Sequence, residues 1–168
     1  MQARLLTDNE LRGFTGTPES ADTSVSQWVA ATASGESASQ QAAEVKRLSR
    51  LGFVAGDTDN LNGGNGLSLV EQFKTAQEAQ AEVNYEAGQF PNEVAGQGKV
   101  IQFSVPGIPG ARGYAVTSGA SGGAANISFA KGPYAYVAGQ VVPGNETINT
   151  AKAALIAAAR HEYARVSP

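Results

Sequence analysis

Between residues 100 and 142, runs carrying Val, Ile, Phe and Tyr are broken by glycine- and proline-rich reversals roughly every 10–12 residues. Val100, Gln102 and Ser104 alternate with Ile101, Phe103 and Val105, so the two sets fall on opposite faces of a strand. Pro106-Gly107-Ile108-Pro109-Gly110 turns the chain, residues 113–118 return it with Tyr114 and Val116, and residues 119–123 reverse it again. Residues 125–130 carry Ile127 and Phe129, Lys131-Gly132-Pro133 is a tight turn, and residues 134–142 alternate once more. Connections this short join antiparallel neighbours, because a parallel return needs a much longer crossover. The spacing predicts an antiparallel meander.

The first half reads differently. Ala38, Ala42, Val45, Leu48 and Leu51 recur at three- and four-residue spacing, which predicts a helix over 39–51 with one apolar face. Lys46, Arg47 and Arg50 sit near its C-terminus, where cations complement the helix dipole, and Gly52 is a natural stop. Residues 53–58 and 67–73 read as a hairpin, closed by the Asn- and Gly-rich turn of 60–66. A second helix is expected over 75–88, with Ala76, Ala79, Val83 and Ala87 inside, Glu78, Glu82 and Glu86 mainly outside, and Gly88 as its stop. The last helix is expected to start at an Asn145 cap, with Glu146 at the positive end of the dipole. It carries Ile148, Ala151, Leu155, Ala158 and Ala159 on one face towards Tyr163 and Val166. Thr7 and Glu10 have capping-box spacing. Residues 1–38 are expected to be a loosely structured segment pinned by Trp28, and 39–168 a single domain. The predicted fold class is α+β, an antiparallel sheet of about six strands (hairpin plus meander) packed by three helices.

Composition removes many function classes. The 168 residues include no cysteine, which excludes disulfides, thiolate nucleophiles, Cys-ligated zinc and iron–sulfur clusters. His161 is the one histidine, so a multi-histidine metal site is excluded too. Twelve Lys+Arg against fifteen Asp+Glu give a net charge of -3, which argues against a nucleic-acid binder that tracks phosphates. No apolar run approaches the roughly 20 residues that span a bilayer. Residues 1–10 lack the apolar stretch of a leader, which fits a cytoplasmic protein or an exported one whose leader has been removed.

Few residues point to chemistry. His161 would serve a hydrolase only with a nearby serine and carboxylate, and no G-x-S-x-G elbow is present; next to Arg160 and Glu162, late in a helix, it reads as structural. Asp57, Asp59, Asn60 and Asn62 are oxygen-rich, but the EF-hand spacing fails at Leu61 and Ser68, which leaves an acidic turn. Gly107, Gly110 and Gly113 lie among prolines with no helix following, so they read as a turn between strands rather than a phosphate loop. Arg112, Tyr114, Tyr134 and Tyr136 are the candidate ligand-binding set, lining one sheet face if they do not simply fill the core. No catalytic residue, metal ligand or cofactor is assigned.

Three groups carry a resemblance: Leu51-Gly52-Phe53-Val54, the junction from Val70-Glu71-Gln72-Phe73 to Ala79, and Val105-Pro106-Gly107-Ile108-Pro109-Gly110-Ala111 followed by Phe129-Ala130-Lys131-Gly132-Pro133-Tyr134. Together they resemble uncharacterised exported proteins and lipoproteins of actinobacteria. The resemblance implies an extracytoplasmic domain, secreted or membrane-anchored, with a PsbP- or Mog1-like sheet. The expected function is a non-enzymatic cell-envelope domain that binds a partner protein, a wall component or a small apolar ligand. A hydrolase using His161 and a structural dimerisation module are the alternatives.

Overall fold

A computed structural model of the chain describes residues 1–7, 10–11, 22–61, 66–117, 122–142 and 147–168. Among these residues six strands form one sheet: β1 (Phe53–Leu61), β2 (Gly66–Phe73), β3 (Lys99–Phe103), β4 (Arg112–Thr117), β5 (Gly123–Lys131) and β6 (Tyr134–Val142). Their order is β1-β2-β6-β5-β4-β3, and every neighbouring pair is antiparallel. The expected hairpin is β1–β2 and the expected meander is β3 to β6. The two are joined where β2 pairs with β6, Val70 opposite Tyr136.

Among the described residues four α-helices pack on the sheet rather than three: α1 (Val25–Thr32), α2 (Ala38–Leu51), α3 (Ala76–Glu93) and α4 (Ile148–Arg165). The additional one is α1, whose eight residues are too few for helical periodicity to stand out. It buries Trp28 and Val29. The indole lies on the backbone of Gly56, where an added Cβ would stand 2.5 Å from Trp28 Cδ2. Only glycine permits that approach.

The caps explain the helix boundaries. Ser37 and Gln40 form a capping box that starts α2, and Gly52 ends it in the left-handed conformation at φ 90°. Gly88 does not stop α3, which continues to Glu93 with Pro91 in its last turn. Burial is the reason: Phe90 and Val94 pack against Val116, with Tyr114 beside them. The cap of α4 is Thr147, whose hydroxyl accepts the Thr150 N–H at 3.2 Å. Asn145 and Glu146 lie outside the described residues, as do residues 62–65 of the hairpin turn and 118–121 of the later reversal.

The sheet is covered on both faces. Ile127 and Phe129 of β5 and Tyr136 and Ala138 of β6 meet Leu155, Ala158 and Ala159 of α4. On the other face Ala135 of β6 meets Ala79 and Val83 of α3, beside Trp28, Leu48, Phe53 and Phe73. From the end of β2, α3 crosses β6, β5 and β4 to reach β3 at the far edge. Leu5, Leu6 and Leu11 join the α4-side core, and the Leu6 N–H donates to Ser68 Oγ at 2.9 Å. The Thr7 N–H donates to Glu10 Oε2 at 2.7 Å, the backward reach that the spacing of the two residues predicts.

Candidate functional site

The structure does not bring the four sequence candidates together. Tyr134 and Tyr136 share the α4 side of β6, with ring centroids 6.5 Å apart. Arg112 and Tyr114 point to the α3 side of β4, because Gly113 is paired with Ile127, which faces α4. The expectation of one face is therefore corrected by register. Tyr136 is fully buried, stacked on Phe129 at 4.8 Å, and its hydroxyl accepts from Arg4 at 2.7 Å. Burial pushes its phenol up to about 12 against the opposing pull of Arg4. Arg4 also covers the Tyr134 ring at 3.6 Å. Tyr114 leans on Phe90 at 5.8 Å, and exposed Arg112 reaches Asn84 at 3.5 Å.

The other candidates are equally separate. His161 Nδ1 lies 2.7 Å from Glu10 Oε1, on an exposed part of α4, and Arg165 donates to the same carboxylate at 2.9 Å. Burial pushes the Glu10 carboxyl up, but Arg165, His161 and Thr7 outweigh it and hold it below the ordinary value. These contacts fasten the N-terminal residues to α4, since Arg165 also donates to the carbonyls of Ala3 and Leu5. Asp57 and Asp59 lie within β1, buried, rather than in an exposed turn. Gly107 and Gly110 sit in the turn between β3 and β4, and Gly113 in β4.

The most developed polar site lies between α2 and α3. A groove of about 480 Å³ is lined in part by the apolar side chains of Ala43, Leu51 and Ala81. Lys46 and Arg50, one helical turn apart on α2, line one wall, and Tyr85 of α3, 38 % exposed, lines the other. Neither Lys46 nor Arg50 makes an ion pair among the described residues.

Arg47, between these two cations, is fully engaged. It donates in bidentate fashion to Glu44, at 2.8 and 2.5 Å, and to Glu82, at 2.5 and 2.7 Å. Glu86 stands 4.0 Å away, and the guanidinium lies 3.7 Å from the Tyr85 ring centroid. Burial opposes the Arg47 charge, but Glu44 and Glu82 outweigh it and raise its pKa. Oxygens of Glu44, Glu82 and Glu86 lie within 4.8 Å of one another, a spacing that would suit a metal ion. Arg47 is the cation that these carboxylates hold. Deeper in, Glu71 of β2 is 6 % exposed and accepts the Trp28 indole N–H at 2.7 Å. Burial first, then Glu82 and Glu86, raise its pKa well above the ordinary value, with Trp28 and Arg47 opposing.

No protein-family model matches the chain, and no curated protein matches it. The fold resembles a solved extracellular domain. It is that of PknH from Mycobacterium tuberculosis, at a TM-score of 0.55 and 15% identity, over 98% of this chain and 95% of that one. At this identity the likeness is one of fold. No helix among the described residues is long and apolar enough to cross a membrane.

Sequence reasoning reads Lys46, Arg47 and Arg50 only as complements to the α2 dipole and misses the groove. A signal exists. Glu78, Glu82 and Glu86 repeat at four-residue spacing, a like-charge stripe that weakens a helix unless cations face it. Glu71 shares a strand face with Leu69 and Phe73, which marks it as a buried carboxyl in need of a donor.

Proposed function

We propose that this chain is a non-enzymatic, extracytoplasmic binding domain of the actinobacterial cell envelope and that its binding surface is the α2–α3 groove. The observation that carries the reading is the pair Lys46 and Arg50, without ion-pair partners among the described residues, beside the apolar lining of a groove on a protein whose net charge is -3. Concave, mostly apolar surfaces with a few convergent polar groups are the usual form of small-molecule sites. The fold likeness to a domain described as extracellular supports the extracytoplasmic part. The PsbP- or Mog1-like character of the sheet, a removed leader and a lipid or protein tether belong to the same proposal.

The hydrolase alternative has less support. His161 shares the Glu10 carboxylate with Arg165 in a clamp on the N-terminal residues, and a structural role accounts for that contact. The test of the leading reading is retention of envelope lipids, wall fragments or proteins by the immobilised chain, compared with a Lys46→Glu/Arg50→Glu variant. Retention that depends on the two cations supports it. Equal retention by both forms, or a hydrolysis abolished by His161→Ala, overturns it.

A further inference from the structure

The groove also indicates what kind of ligand it takes, and this step rests on the binding reading above. Lys46 and Arg50 are four residues apart on one helix, which brings their Cβ atoms to roughly 5–6 Å of each other. Two long cationic side chains at that separation can close on one anion. Arg47 cannot be the third, because Glu44 and Glu82 already take both edges of its guanidinium. Tyr85 faces them across the groove with one side of its ring against Arg47. Burial, with Glu44, Glu86 and Glu82 acting in the same direction and Arg47 opposing, raises its phenol above the ordinary value, so its hydroxyl stays a donor at neutral pH. The other lining residues, Ala43, Leu51 and Ala81, have apolar side chains that offer nothing to a polar body.

We infer that the groove takes a phosphate monoester carried on an apolar body, with the phosphate between Lys46 and Arg50 and the apolar part against Ala43, Leu51 and Ala81. Charge complementarity selects the head, since a phosphate monoester bears nearly two charges at neutral pH, matching two cations that make no ion pair among the described residues. The apolar lining selects the tail, since the hydrophobic gain on covering it goes to a ligand with its own apolar surface. Inorganic phosphate lacks the second feature and a neutral amphiphile the first.

The test uses the full chain and three probes below their micelle concentrations: octyl phosphate, octyl glucoside and inorganic phosphate. Binding is followed by the amide shifts of α2 and α3 and by calorimetry, on the native chain and on Lys46→Gln/Arg50→Gln. Both substituted positions lie on the surface side of α2, and a thermal melt checks that the variant folds. Octyl phosphate is expected to bind with shifts centred on the groove, to weaken tenfold or more in the variant, and to weaken with added salt. Inorganic phosphate and octyl glucoside are expected to bind at least tenfold more weakly. If octyl glucoside binds as well as octyl phosphate and the variant binds both equally, the anion assignment is overturned while the groove remains a binding site. If inorganic phosphate alone accounts for the affinity, the apolar half is overturned. If none of the three binds, this inference is overturned, and the envelope-retention experiment separately decides the broader reading.

Discussion

Trp28 does two jobs with one side chain. Its ring rests on Gly56, and its N–H meets a carboxyl that would otherwise be buried without a donor. The edge strand β1 is also met there by Asp22, whose backbone exchanges two hydrogen bonds of 2.8 Å with Gly56. Gly56→Ala should therefore cost about 2 kcal/mol, because the added methyl meets an indole that is itself packed. Urea unfolding measures the cost, and a red shift of the single tryptophan's emission reports whether α1 lifts from the sheet. A variant as stable as the parent, with unchanged emission, would show that the ring is free to move aside. This glycine is legible in the sequence as a residue of a strand run. That it lies under an indole is not, because the two meet only when α1 folds over the sheet.

At the scale of elements, the ends of α3 and its pairing with α2 show where local signals lose. Gly88 and Pro91 are ordinary stop signals. They are overridden because Phe90 and Val94 gain burial on β4. Phe90→Ala should cost about 3 kcal/mol and unwind the last turn, read as faster amide exchange after Gly88 and a loss of helical ellipticity. A loss under about 1 kcal/mol with the turn still protected would mean that the helix runs on by itself. The hairpin and the meander were legible because each is local. Their junction, β2 on β6, pairs residues distant in sequence and leaves no local pattern. The groove was hidden for the same reason: the basic face of α2 and the acidic stripe of α3 make sense only together. Arg47→Met tests that joint. It leaves Glu82 buried without its cation and should cost about 3 kcal/mol or more. Adding Glu82→Gln should recover much of the loss. Failure of the second substitution to recover any would assign the cost to lost packing on Tyr85.

For the whole molecule, buried carboxyls of opposite tendency shape the response to pH. Glu10 is held below the ordinary glutamate value by its donors. Its contribution is complete above that value and is lost as pH falls through the lowered pKa, which releases the N-terminal residues from α4. Glu71 and Glu162 behave in the opposite sense. Burial raises both; Glu82 and Glu86 add to it at Glu71, and at Glu162 Arg165 opposes while Glu10 adds. Asp57 is also raised, by burial first, with Asp59 and Asp22 adding and the N-terminal charge and the Thr58 N–H opposing. In the unfolded chain these acids ionise near their ordinary values, ~4, while in the folded chain burial shifts their ionisation to higher pH. Their contribution is complete below those values and declines as pH rises towards the folded pKa values. Stability should therefore peak in mild acid and fall on both sides. Glu71→Gln keeps an oxygen for the Trp28 N–H and removes the buried ionisation, so it should stabilise the fold at neutral pH by about 1 kcal/mol or more, with no gain in mild acid. Glu10→Gln should do the reverse: it should lower the peak and leave the acid side flatter. Thermal melts of the parent and both variants, from acid to mildly alkaline pH, measure the three profiles. A Glu71→Gln gain that is the same at every pH would trace the effect to packing rather than to the proton. A parent profile that rises steadily to neutral pH would mean that the buried acids ionise in place, with Arg47 meeting their charge.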